Sequence, residues 1–300
     1  SIPTSSALTI SSGATFDLSS YSQSVGSIAG PGNITSSTAS SNPVLTTGYD
    51  NSNTTFSGSI TNGLATSLSL TKLNTGVLTL SGASSYTGIT NINGGIVNIQ
   101  NSSALGNSSN TVVASGASLQ LQGGISVGAL PLSLNNSGYG GGTGALWNVS
   151  GNNSWLGTLT LVTNAVRINS DAGTLSLIGS NAVKSTNINL TVGGSGNTSI
   201  TGSITTGSGT LTKDGGGTLT LSGSSNYTGA TLVSNGILNL QNSSALGSST
   251  GTTVSNGASL QLQGGISIGA LPLSLNGQGY GPSGALRNIS GNNSWSGTIT

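Results

Sequence analysis

One long segment of the chain occurs twice. Residues 72–160 recur at 213–300, and several stretches return unchanged: Asn101–Gly106 as Asn242–Gly247, Gly116–Ser126 as Gly257–Ser267, and Gly128–Asn135 as Gly269–Asn276. All three pairs share one offset, that of position 101 to position 242. The offset shrinks by one at Trp155 and Trp295, because the glycine loop after Tyr139 is one residue longer than the loop after Tyr280. Repetition at this length favours folds in which each unit buries its apolar face against a neighbouring unit. The expected organisation is a first repeat with its lead-in at 1–160 and a second at 161–300, joined in one continuous solenoid.

A finer rhythm runs inside each copy. Val77-Leu-Thr-Leu80, Ile96-Val-Asn-Ile99 and Ser118-Leu-Gln-Leu121 alternate polar and apolar residues with the period of a half-buried strand. Leu78, Val97 and Leu119 succeed one another at intervals close to the shortest solenoid period, and Leu219, Leu238 and Leu260 repeat the same two intervals. Ser-Gly, Asn-Gly and Gly-Gly pairs punctuate the intervals as turns. Strands every ~20 residues suit the coils of a parallel β-helix. At ~4.8 Å per coil, about fifteen coils would make a rod on the order of 70 Å long. An array of immunoglobulin-like sandwiches would instead place strands every ~8–12 residues.

Composition narrows the function. Charged residues make up 3% of the chain and its net charge is +1, while 33% of residues are hydrophobic and regularly placed. That combination departs from disorder, which pairs low hydrophobicity with high net charge. Lys72, Arg167, Lys184, Lys213 and Arg287 are scattered, so no basic patch for nucleic acid is visible. No cysteine is present to form a disulfide, and no apolar run reaches the ~18–20 residues of a membrane helix. Ser1 opens inside patterned sequence without a leader, as in a processed chain or an excerpt of a longer one.

Gly215-Gly-Gly-Thr-Leu-Thr-Leu-Ser-Gly223, Tyr227-Thr-Gly229 and Ser234-Asn-Gly-Ile-Leu-Asn-Leu240 resemble the autotransporter-associated β-strand repeat of bacterial passenger proteins. The first copy shows the same order in Thr75–Gly82, Tyr86-Thr-Gly88 and Gly94–Ile99. Gly13–Leu18, Gly26–Gly30, Thr55–Ile60 and Ile200–Ile204 resemble the usual lead-in. The resemblance implies an all-β, right-handed parallel β-helix, exported to the bacterial surface within a long protein. The outer-membrane barrel that often ends such proteins has no counterpart here, since no set of ~10-residue amphipathic strands with aromatic girdles is present.

The inventory of reactive side chains points away from an enzyme. His, Cys and Glu are absent, which removes the common general bases, nucleophile partners and zinc ligands. Asp17, Asp50, Asp171 and Asp214 are isolated in sequence, leaving an Asp–Arg pair assembled by the fold as the remaining route to catalysis. Gly140–Gly142 and Gly215–Gly217 lack the Lys-Ser/Thr and helix of a phosphate loop and read as turns. No cofactor or metal is expected. Asn-x-Ser/Thr sequons, Asn148 and Asn288 among them, follow from the composition.

The matched aromatics are the candidate contact residues: Trp155 with Trp295, Tyr86 with Tyr227, and Tyr139 with Tyr280. They either fill the core and turns or form a surface for sugars or other chains. Trp147 gives way to Arg287 in the second copy, which marks an exposed position. The leading expectation is a rigid extracellular rod or fibre whose partners are other copies of itself, end to end or laterally. The alternative is an adhesin that binds glycans or cell surfaces through the repeated aromatics.

Overall fold

The computed structural model describes residues 2–163 and 165–300. The fold is an all-β parallel solenoid, and the short 3-10 turns Tyr139–Gly141 and Gly281–Ser283 are its helical content among the described residues. Three long sheets run along the axis; the chain enters all three in turn only between Ala117 and Lys213, and before and after that stretch it moves between two of them. Face I is an 11-stranded sheet from Thr54–Phe56 to Leu273–Leu275. Face II has eight strands, from Ser126–Val127 to Leu286–Ser290, and face III has nine, from Gln23–Ser24 to Ile204–Thr205.

Face I continues downward. Ala7–Thr9 pairs with Ser27–Ala29, and a bridge from Gly30 to Phe56 joins that pair to the 11-stranded sheet. The solenoid therefore has about 13 turns, and at ~4.8 Å per turn it is roughly 60 Å long. This is shorter than the fifteen coils expected, because many coils are longer than the ~20 residues assumed. The coil that carries Thr15 round to its register partner Asn33 is short, and the one from Ser126 to its partner Ser154 is more than half as long again.

Alternation along each strand turns one set of side chains inward, and the parallel register stacks that set into columns. Leu78, Val97 and Leu119 pair in succession, as do Leu219, Leu238 and Leu260. The face I column continues through Leu146, Ile168 and Val192, all completely buried. Each fully buried Leu, Ile or Val contributes roughly 1.5–3 kcal/mol by leaving water, so a column of this length holds the coils together without help from charge. Outward positions are bridged by amides. Asn98 Nδ2 donates to Gln120 Oε1 at 2.9 Å and to Gln122 Oε1 at 3.0 Å.

The corners set the demand for glycine. Gly157, Gly179, Gly202 and Gly223 stack on one corner, and a Cβ on Gly202 would stand 1.7 Å from the Gly179 carbonyl oxygen. Asparagine supplies other corners. Asn51, Asn74, Asn136 and Asn187 adopt positive φ near 58–59°, a conformation that Asn tolerates better than most residues. Two of these carboxamides also tie coil to coil: Asn51 Oδ1 accepts from Thr75 N at 3.2 Å, and Asn187 Oδ1 from Ser208 N at 2.9 Å.

Candidate functional site

The structure separates the six candidate aromatics. Tyr86, Tyr227 and Trp155 are fully buried, so they offer no surface for a sugar or another chain, and the surface reading of these three is corrected. The cause is that the core satisfies their polar atoms. Tyr86 Oη lies 2.6 Å from Thr90 Oγ1, which donates to Ser108 Oγ at 3.2 Å; Ser108 Oγ in turn donates to Gly88 O at 2.9 Å. Tyr227, Thr231 and Ser249 repeat the arrangement, with Tyr227 Oη 2.8 Å from Thr231 Oγ1. Burial raises both phenol pKa values above their ordinary position, with the hydroxyl partner opposing.

Trp155 donates its indole N–H to Leu130 O at 2.9 Å, across the corner that Gly157 keeps narrow. Its neighbour Asn153 accepts from Ile125 N at 2.7 Å and hydrogen-bonds Asn148. The Gly-Asn-Asn-Ser-Trp segment is thus a corner clamp. Trp295 makes the same bond, to Leu271 O at 2.8 Å, and packs half-buried against the core. Asn148 is itself completely buried and donates to Ser170 Oγ at 2.9 Å, so its sequon is closed to a glycan. Tyr139 and Tyr280 remain near the surface: Tyr139 is half-buried and Tyr280 is 38% exposed. Each sits on a glycine loop tied down by its own backbone N–H, Tyr139 to Ser118 Oγ and Tyr280 to Ser259 Oγ, both at 2.8 Å.

Two lysines lie inside. Lys72 and Lys213 are 2% exposed and occupy inward columns, Lys72 between Thr47 and Ile92, Lys213 between Val192 and Val233. Each ammonium caps the carbonyls of a corner. Lys213 Nζ donates to Asp214 O at 2.6 Å, Gly215 O at 2.7 Å and Asn235 O at 3.2 Å. Lys72 Nζ does the same to Leu73 O at 2.7 Å, Asn74 O at 3.3 Å and Gly94 O at 3.5 Å. Desolvation lowers both pKa values to about 8, opposed by Asp50 at Lys72 and by Asp214 at Lys213, where Arg167 lowers it further. The alternation Leu70-Thr-Lys72 and Leu211-Thr-Lys213 was the available signal, since it places each lysine on the side of its leucine.

The fold does assemble an Asp–Arg pair. Arg167 Nη1 and Nη2 meet the Asp214 carboxylate at 2.7 and 2.9 Å, far along the chain, over the space left by Gly193. Arg167 Nη2 also donates to Asn169 Oδ1 at 3.0 Å, Asn169 Nδ2 to Asp171 Oδ1 at 2.6 Å, and the half-buried Trp147 indole to Asp171 Oδ2 at 2.7 Å. This chain of bonds climbs the outside of face I and pairs both terminal nitrogens of the guanidinium, while the Arg167 Nε–H is buried without a partner. No group of three or more metal-ligating side chains occurs among the described residues. A side groove of about 440 Å³ is lined by Thr160, Val162, Lys184, Thr186, Ile188 and Thr205, without a second ionisable group. No helix among the described residues is long and apolar enough to cross a membrane, which says nothing of β-barrels.

No curated protein and no solved structure matches the chain. A family model described as passenger-associated-transport-repeat matches at residues 70–99 and 211–240. Those two stretches hold the same working parts: the buried lysine, the buried tyrosine and the glycine corner at Gly95 or Gly236. The chain carries two copies of this repeat of autotransporter passengers.

Proposed function

We infer that this chain is a non-enzymatic structural segment of an exported bacterial passenger, standing at or beyond the cell surface as part of a rod or fibre. The observation that carries the reading is the pair of passenger-associated transport repeats, each built into an apolar stack of parallel coils. Coils of about 20 residues, grouped in a repeat of about 140, wind in the right-handed sense that ~98% of parallel crossovers adopt. The reactive inventory supports a structural role. The charged cluster at Arg167 is internally paired, and the lysines of the repeat cap backbone carbonyls.

A surface of Ser, Thr, Asn and Gln with net charge +1 lets copies approach without strong repulsion. The test is electron microscopy of the purified chain, with protease accessibility on intact producing cells. Slender rods of roughly 60 Å, single or strung end to end, and digestion from outside are the expected results. Compact particles, or complete protection by the intact cell, would refute the reading.

One observation favours a second reading. Tyr139 and Tyr280 stay near the surface on matched glycine loops, so an adhesin reading retains these two residues. A glycan array on the chain and on Tyr139→Ala/Tyr280→Ala decides it: binding lost in the variant supports adhesion, and absence of binding by either protein removes it.

A further inference from the structure

The two copies of the repeat are nearly identical in sequence yet stand on different faces. Climbing face III in register from Leu70 leads through Thr90, Thr111, Leu132, Leu159, Val183 and Ile204, which is six full turns. The counterpart of Leu70 is Leu211, beyond Ile204 in the chain, and it lies on face I. The offset between the copies is therefore six turns plus one face.

Other landmarks move by the same step. Thr111–Val113 is on face III and Thr252–Val254 on face I. Ala117–Gln122 is on face I, and the identical Ala258–Gln263 is on face II. The loop bearing Tyr139 is anchored to Ser118 of face I, and the loop bearing Tyr280 to Ser259 of face II.

We propose that this remainder is a phasing device: each repeat presents its surface one third of a turn around from the last, so any contact the repeat makes is offered on three sides in succession. The inference rests on the chain being a rod that displays repeats. Equivalent surfaces rise by about 30 Å per repeat and return to the same side only after three repeats, about 19 turns or roughly 90 Å. Parallel copies of the chain in a flat ribbon could match equivalent surfaces only once in three repeats. A rod with three neighbours at about 120° to one another can use every repeat. The partner that fits this surface is one that surrounds the rod, and neutral copies of the chain itself meet that condition.

The test uses Ser103 and Ser244, exposed counterparts on the two repeats. Ser103 lies in the coil segment beneath Ser126–Val127 of face II, and Ser244 in the segment beneath Ser267–Ile268, a strand of a separate short sheet that follows face II and precedes face I in the chain, the place face III takes in lower coils. Nitroxides on Ser103→Cys/Ser244→Cys, read by pulsed electron paramagnetic resonance, should give a distance combining the axial rise with a lateral offset. The expected value is roughly 40 Å, against about 30 Å for labels stacked on one side. A distance at the axial rise alone overturns the proposal, while leaving the rod reading intact. A tandem array of three repeats, imaged by electron cryo-microscopy, provides the second measurement. Equivalent loops on three different sides support the phasing, and loops in one line refute it.

Discussion

Lys72 and Lys213 make the stability of the solenoid depend on pH in a direction opposite to that of most proteins in alkali. Both ammonium groups are buried, and desolvation lowers their pKa from an ordinary 10.5 to about 8. Between those values the unfolded chain still holds a proton on each lysine that the folded chain has released. Stability therefore rises with pH by about 1.4 kcal/mol per pH unit per lysine across this window. The contribution is fully present above 10.5 and is lost as pH falls through about 8. The whole gap corresponds to roughly 3 kcal/mol for each site.

Tyr86 and Tyr227 oppose this trend at higher pH. Their folded pKa values are raised, so their contribution is complete below the ordinary value of 10.0 and is lost as pH climbs through the folded value. The interval from about pH 8 to 10 is dominated by the lysines, since no carboxylate titrates there and the unfolded tyrosines only begin to ionise at its upper end. The assay is a series of urea titrations at pH 7, 8, 9 and 10 on the native chain and on Lys72→Met/Lys213→Met. The native midpoint should climb from pH 8 to 10, by an amount equivalent to roughly 4–5 kcal/mol for the pair. The variant should be flat. A native midpoint that stays level, or a variant that climbs equally, would show that the lysines are not desolvated as described.

Four further outcomes concern buried hydroxyls and glycine corners. Tyr86→Phe and Tyr227→Phe remove a hydroxyl that Thr90 or Thr231 needs, and each should cost about 1 kcal/mol in the same titrations, well short of the ~3–5 kcal/mol of a truncation to Ala. Thr111 and Thr252 bury hydroxyls that have no hydrogen-bond partner, so Thr111→Val/Thr252→Val should raise the midpoint, by up to ~1 kcal/mol per site. Gly202→Ala forces a methyl to within 1.7 Å of the Gly179 carbonyl and should lower stability by about 3 kcal/mol or more, with hydrogen exchange accelerated in the adjoining coils. At Gly116 the surroundings are open and only the positive φ of 77° resists a side chain, so Gly116→Ala should cost about 1 kcal/mol.

The solenoid was legible because its register is written in spacing. Leu78, Val97 and Leu119 stack one on the next at the intervals visible in the sequence. The aromatics and lysines were less legible because their burial depends on partners remote in sequence. Trp155 follows Gly-Asn-Asn-Ser, a polar context that reads as surface, yet its indole N–H finds the Leu130 carbonyl a full coil back. Tyr86 sits in Ser-Ser-Tyr-Thr-Gly and is drawn inward by Thr90, one strand ahead, and by Ser108 of the next coil. Arg167 and Asp214 carry no local sign of each other, since Gly193 in the intervening coil is what lets the guanidinium lie across the sheet.

The displacement of the copies by one face explains how near-identity of sequence can coexist with a change of place. Ala117–Gln122 and Ala258–Gln263 share sequence and burial pattern although they belong to different sheets. This works because each face makes the same demand, an inward apolar residue at every second position, and satisfies it against the coils directly above and below. What a strand must match is its neighbour along the axis. Gln120 meets Asn98 beneath it on face I, and Gln261 pairs with Asn239 on face II. A repeat that carries its own neighbours with it can therefore be set down on any face. With the order of coils kept within the repeat, a remainder of one face leaves the inward pattern of the core intact while it sets the second copy one face round from the first.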